Sequence, residues 1–354
     1  MLAIGNILIF VVILSIIVVV HELGHLIAAK KFNVYCHEFS IGMGPAIFKH
    51  KKENAETTFA VRAFPLGGFV AMAGEEGNDY DVPYERTING IKPWQQIIVM
   101  AAGAFMNLVL ALIVFVGIVM YNGQVSVPSD PIIGEVLANS PASTVGIQAN
   151  DEIVKMTLPD GTEVVPESFD DLIAGMSKYE GGQVIYTINR NGQTLDFKLE
   201  PVYDEATGRY LAGFSALTKV KEIKWYEAFY YGPKMMLEMT VQIVVSFGTL
   251  LTGQGLDQVS GPVGIYQQTS EVASMGLASL ILWLGLLSLN IGIFNLFPLP
   301  ILDGGRIVIV IIEKLAGKKM SEKVQNFIMM IGLILILGIF LFSTINDIGK
   351  LLGF

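Results

Sequence analysis

One cysteine and four histidines stand among 354 residues. With Cys36 alone, no disulfide can close within the chain and no thiolate metal cluster can form. Charge is scarce as well: Asp, Glu, Lys and Arg make up 16% of the chain against 52% hydrophobic residues, which fits a polytopic membrane protein better than a soluble enzyme. Residues 4–20 carry no charge at all, no Lys or Arg precedes them, and no small-residue cleavage site follows before residue 21. Those absences argue against a signal sequence and for a helix of the mature protein. With a net charge of -9, the chain has nothing that reads as a nucleic-acid surface.

What is present is a set of long apolar runs. Residues 4–29, 94–120, 277–297 and 327–345 each reach or approach the length needed to cross a hydrocarbon layer of about 30 Å. A fifth run, 230–252, is interrupted by Lys234 and Glu238 and reads as an interfacial amphipathic helix. Lys30, Lys31, Lys49, Lys51, Lys52, Arg62 and Lys92 follow the first span, and Arg306, Lys314, Lys318, Lys319 and Lys323 follow the third. Both loops are expected on the cytoplasmic side. The acid-rich stretch 122–227, with Asp151, Glu152, Asp160, Glu163, Glu167, Asp170 and Asp171, is then extracytoplasmic, and the chain is expected as a multi-pass protein of the cell (plasma) membrane.

Inside the first run lies His21-Glu22-Leu23-Gly24-His25. Ionisable side chains at membrane depth are costly, so three in one pentad point to function. On a helix His21 and His25 share a face one turn apart and can bind one metal ion, with Glu22 beside them as a candidate base. Zinc with three protein ligands and one open position lowers the pKa of water there to about 7, which suits hydrolysis.

Two histidines need a third ligand. His37 and His50 fall in the charged loop, away from that depth, and the longer pattern HExxHxxGxxH fails at Ala28 and Lys31. Glu38 and Glu56 stay open as ligands on the sequence alone. Asp303 is the better candidate, in the run Asn295-Leu296-Phe297-Pro298-Leu299-Pro300-Ile301-Leu302-Asp303-Gly304-Gly305. Its two prolines break regular helix, and irregular backbone at membrane depth is tolerated where it lines a site. A plain helix N-cap is the competing role for Asp303. The matching depth of Asp303 and His21, each just before basic residues at the end of a span, favours the ligand.

HELGH in the first span together with NLFPLPILDGG in the third resembles the site-2 protease family of intramembrane zinc metalloproteases (peptidase family M50), in its bacterial branch with an extracytoplasmic PDZ domain between spans two and three. The resemblance covers nearly the whole chain. It implies Zn2+ held by His21, His25 and Asp303, Glu22 as the catalytic base, and Asn295, with Pro298 and Pro300 in the same motif, as substrate-binding. Gly103 and Asn107 resemble the family's Gly-Pro-x-x-Asn signature, with Ala104 in place of its proline. Residues 57–74 read as two short β segments around Pro65, Gly67 and Gly68. They resemble the family's membrane-associated β-hairpin, whose edge at Gly67, Gly68 and Phe69 could pair with an extended substrate.

The fold class expected is a polytopic α-helical membrane protein of about four transmembrane helices, with a membrane-associated β-hairpin and one extracytoplasmic PDZ domain. Its parts are 1–121 with the first two spans, 128–216 as the PDZ domain, 225–270 as interfacial helix and connector, and 277–354 with the last two spans. Ser140-Pro141-Ala142 to Asn150-Asp151-Glu152-Ile153 resembles the PDZ core, and Ile132 to Gly134 is the expected carboxylate-facing loop. Ser260-Gly261-Pro262-Val263-Gly264-Ile265-Tyr266 reads as a turn or hinge. The expected activity is zinc-dependent cleavage of single-span membrane proteins, such as an anti-sigma factor already shortened outside or a remnant signal peptide. A catalytically silent PDZ-bearing adaptor is the alternative, and a metal transporter a weaker third reading, because the spans lack further carboxylates and histidines to mark a path. The partners expected are the substrate and the lipid bilayer, with no nucleic acid.

Overall fold

The computed structural model describes residues 2–75, 81–177, 179–204, 209–252 and 259–352. Residues 253–258 of the expected connector, 178 and 205–208 of the expected PDZ segment, 76–80 after the hairpin and 353–354 lie outside the described residues. The chain divides into two compact units, one made of Met1–Ile118, Phe229–Gly248 and Leu256–Phe354, the other of Val119–Ala228 with Thr249–Gly255.

In the first unit, α1 (Leu2–Lys31) is apolar around its circumference and closes on Lys30 and Lys31, whose charge suits a helix C-terminus. Asn33 then turns left-handed at φ 62°, and Val34 N–H donates to Ala29 O (2.9 Å). Two long strands follow, β1 (Cys36–His50) and β2 (Thr58–Met72), paired antiparallel. Both bend back on themselves, so Ser40 faces Phe69 on one side and Ala60 on the other. Gly42 (φ 86°) and Gly67 (φ 81°) supply backbone that other residues rarely adopt. The hairpin expected within 57–74 is therefore corrected. That segment is one bent strand, and the partner that completes its hydrogen bonding is Cys36–His50.

Helix α2 (Pro93–Asn122) returns against α1, and Leu26, Ala29, Val34, Cys36, Phe39, Val70, Met72, Val99 and Met100 form a core joining both helices to the sheet. Burial pushes the Cys36 thiol up to about 11, so this cysteine is a packed, unreactive side chain.

The second unit begins with β3 (Gln124–Val136) and α3 (Pro141–Val145), which Ser140 caps by accepting from Ser143 N–H. Then come β4 (Glu152–Thr157), β5 (Glu163–Val164), α4 (Phe169–Met176), β6 (Val184–Arg190), β7 (Gln193–Leu199), β8 (Val202–Asp204), β9 (Arg209–Leu211) and β10 (Phe214–Glu222). The main sheet runs β10-β3-β4-β6-β7, with β5 paired to β4. Ile133, Ile153, Met156, Leu172, Val184, Tyr186 and Ile188 fill its core. Arg190 reaches both carboxylate oxygens of buried Asp151 at 2.7 Å, and this pairing raises the pKa of the guanidinium.

Back in the first unit, α5 (Ala228–Leu251) contains Pro233 and lays Met235, Met236, Met239 and Ile243 against Ala111 and Phe115 of α2 and Leu289 and Ile293 of α7 (Leu277–Asn295). Between them α6 (Pro262–Ser274) packs Ile265 among Ile13, Ile17, Leu287 and Trp283. Helices α8 (Asp303–Ala316) and α9 (Glu322–Leu352) complete the chain. Among the described residues four helical segments are long and apolar enough to cross a membrane: Gly5–Lys31, Pro93–Asn122, Leu277–Asn295 and Lys323–Lys350. These are the four runs expected from the sequence. The run at 230–252 forms a continuous helix that falls outside this set.

Candidate metal centre

Four residues of spacing on α1 bring His21 and His25 onto one face, and their Nε2 atoms lie 3.1 Å apart. Asp303 comes from the first turn of α8, more than 270 residues on. The segment before it turns tightly: Leu299 N–H donates to Phe297 O (2.7 Å) and Leu302 N–H to Leu299 O (2.9 Å). Gly304 and Gly305 make this possible, since a Cβ on either would overlap the carbonyls of Leu296, Phe297 or Leu299. The N-cap of α8 is Leu302, so Asp303 is not spent as a cap. Its Oδ2 sits 3.2 Å from His21 Nε2 and 3.4 Å from His25 Nε2. That oxygen is buried and has no hydrogen-bond partner among the described residues.

Three lone-pair atoms therefore converge with no proton donor aimed at the carboxylate oxygen between them. A tetrahedral ion at about 2.0–2.1 Å from each ligand separates its donor atoms by about 3.3 Å, and the three separations of 3.1, 3.2 and 3.4 Å match. Nitrogen, nitrogen and carboxylate oxygen form a donor set that zinc accepts with a fourth position left open. His21, His25 and Asp303 form the one cluster of at least three potential ligand side chains found among the described residues.

The competing ligands are accounted for elsewhere. Glu38 is held by Arg62 and by Lys49 (3.1 Å), and Glu56 by Arg86 (2.8 Å). His37 packs edge-on against Tyr35, and His50 stacks on Phe48.

Around the cluster, α2 and the sheet form the walls. His25 Nδ1–H donates to Val99 O (2.8 Å), which turns Nε2 toward the cluster. Gly103 lies against both rings: a Cβ there would overlap His25 Nε2 and stand 2.7 Å from His21 Nε2. Gly68 of β2 brings the sheet to the histidine helix, since its Cβ would meet Val18 Cγ1 at 3.1 Å and Glu22 Cγ at 3.3 Å. Gly67 faces Met43, and Phe69 stacks under the Arg62 guanidinium at 4.9 Å. Asn295 is the last residue of α7. Pro300 packs on α9 at Gly332, and Pro298 is exposed. Glu75 pairs with Arg306, tying the end of the sheet to the helix that carries Asp303.

Neither Val99, whose carbonyl acts whatever its side chain, nor the Glu75 to Arg306 pair leaves a sign in the sequence. In the second unit a cavity of about 680 Å³ is lined by Phe169, Leu172, Ile173 and Met176 of α4 and by Leu211 to Phe214. Ile132 to Gly134 has no part in it. Those residues lie in β3, with Ile133 fully buried and Gly134 against Ala216 of β10, which corrects the expected carboxylate-facing loop.

Spanning helices around a two-histidine, one-carboxylate cluster define the class, a metal-dependent hydrolase of the membrane. Residues 9–339 match Peptidase family M50, and the chain belongs to that family. It is similar to the zinc metalloprotease RasP of Shouchella clausii, at 30% identity over 98% of this chain and 99% of that protein. It is also similar to the regulator of sigma-W protease RasP of Bacillus subtilis, at 28% over 98% and 99%. A protein of Clostridium perfringens assigned by name to the zinc metalloproteases shares 35% over 94% and 96%.

Proposed function

We propose that the chain is a zinc-dependent intramembrane endopeptidase whose ligands are His21, His25 and Asp303 and whose base is Glu22. The convergence of three donor atoms within 3.4 Å of one another, with Glu22 on the same helix turn, carries this reading. Zinc, when bound, supplies a Lewis acid for the scissile carbonyl and acidifies the attacking water. Glu22 takes a proton from that water as the carbon–oxygen bond forms and returns it to the amide nitrogen as the carbon–nitrogen bond breaks. The edge around Gly67, Gly68 and Phe69 holds the substrate as an added strand, and Asn295 with the Pro298 and Pro300 turn bears on it from the other motif. Closeness of Gly68 to Glu22 supports that role for the sheet. An extended substrate needs such partners, because an unwound helix loses its own hydrogen bonds in lipid.

The substrate class is a single-span membrane protein, an anti-sigma factor after a first cut or a remnant signal peptide. A relative named for regulation of sigma-W supports the former. Basic loops after the first and third spans support a cytoplasmic-side active site in the cell membrane, with the second unit outside. We assign that unit to the PDZ class. Its edge strand β10 borders the cavity beside α4, an arrangement suited to strand addition by a peptide. Glu22 and all three donors are present, which disfavours the silent adaptor. Zinc content and cleavage of a single-span substrate, measured with and without a chelator, test the proposal. Zinc-free, chelator-insensitive cleavage would overturn it.

A further inference from the structure

Val99, Gly103 and Asn107 are spaced four apart on α2 and so share one face of that helix. This row meets α1 at the two histidines. Val99 fixes His25 through its carbonyl, and Gly103 leaves room for both rings. Asn107 stands opposite the far side of His21, with Nδ2 3.3 Å from Nδ1. It is 0% exposed, and its Oδ1 has no hydrogen-bond partner among the described residues.

An imidazole that offers Nε2 to a metal carries its proton on Nδ1, and that N–H needs an acceptor. The Asn107 amide turns its donor to Nδ1 while its acceptor stays unpaired, the reverse of what a metal-binding His21 requires. A half-turn of the amide about Cβ–Cγ exchanges two groups of nearly equal size and brings Oδ1 to the His21 Nδ1–H. We propose that Asn107 is a positioning residue of the metal centre: its amide oxygen accepts the His21 Nδ1–H and fixes the tautomer that leaves Nε2 for the metal.

Asn107 is itself held from α7. Its backbone carbonyl accepts from Ser288 Oγ (2.8 Å), and a Cβ at Gly292 would stand 3.3 Å from its own Cβ. The row on α2 thus orients each histidine through the nitrogen that faces away from the ligand cluster, by a backbone carbonyl for His25 and by a side-chain amide for His21. The inference rests on the zinc reading above.

The test is zinc affinity of the full-length protein in detergent, by competition with a chelator, beside thermal unfolding of the metal-free forms. Asn107→Leu keeps the volume and removes the acceptor, and is expected to weaken zinc about 10- to 100-fold. Asn107→Asp keeps an acceptor and has no N–H to give, and is expected to bind zinc at least tenfold more tightly than Asn107→Leu. Native-like affinity in Asn107→Leu overturns the proposal. So does loss of zinc in Asn107→Asp when its metal-free form melts as the native does, since the amide N–H would then be the group required. Should Asn107→Leu fail to fold, Asn107→Asp decides alone. A native protein that takes up no zinc would instead overturn the reading beneath.

Discussion

Glu22 and Asp303 lie within one small cluster yet answer to different measurements. Glu22→Gln keeps the side chain's size and removes its basicity, so zinc content should stay native while cleavage falls by about 10²- to 10⁴-fold. Asp303→Ala takes away the oxygen 3.2 and 3.4 Å from the two imidazoles, and zinc content should fall with activity. Gly103→Ala is a sharper test of the geometry. In a helix interior the change should gain about 1 kcal/mol of helix propensity, yet its Cβ overlaps His25 Nε2. Zinc affinity should drop even if α2 becomes more stable, and unchanged affinity would place the rings elsewhere. Most of this cluster was legible in the sequence, because HELGH and LDG place side-chain chemistry at readable spacing. That Asp303, and neither Glu38 nor Glu56, stands beside the two histidines could be seen only in three dimensions, where Arg62, Lys49 and Arg86 pair with those two glutamates. The Val99 carbonyl could not be read at all, since a backbone acceptor leaves no mark on residue type.

At the scale of elements, the sheet of β1 and β2 is what brings an extended edge to Glu22. Gly68→Val would press a branched side chain on Ser40 O, 2.8 Å from its Cβ, and on Glu22. Cleavage should fall with zinc retained, which separates docking of the sheet from integrity of the metal centre. The same sheet has a pH limit. Burial opposes the Glu38 carboxylate, but Arg62 and Lys49 outweigh it and hold its pKa below the ordinary value. A lowered folded value means stability present above the unfolded pKa of about 4.3 and lost as pH falls through the folded one. Amide hydrogen exchange in β1 and β2 should therefore be flat from pH 8 to pH 5, after correction for intrinsic rates, and rise only below about pH 4. The spans were legible as long apolar runs, the first broken only by HELGH. β1 was not, because Gly42, Gly44 and Pro45 break the alternation of Cys36–His50, and its bends depend on pairing with a strand that begins at Thr58.

For the whole molecule the question is what the second unit contributes. Gln124 pairs with Glu222, and Ile223 N–H donates to Gly123 O (2.9 Å), so the unit leaves and rejoins the chain at adjacent points. Residues 124–222 can be replaced by a short glycine-serine linker. That form should still cut a short transmembrane peptide while changing which full-length substrates are cut, and loss of peptide cleavage would contradict a selective role. Alternation and turn residues in the sequence mark Ile132 to Leu137, Glu152 to Leu158 and Gln183 to Asn189 as strands and residues 168–178 as helical, which correspond to β3, β4, β6 and α4, whereas β5 and β7 to β10 were not read. Its cavity was not legible either, because Leu211 to Phe214 reaches α4 only through the fold. The most direct test of the central claim is cleavage of a model single-span substrate by the purified native protein and by Glu22→Gln, each with and without a zinc chelator. The account predicts cleavage by the native form alone, abolished by chelation and restored by zinc. Cleavage by zinc-loaded Glu22→Gln at the native rate would contradict it.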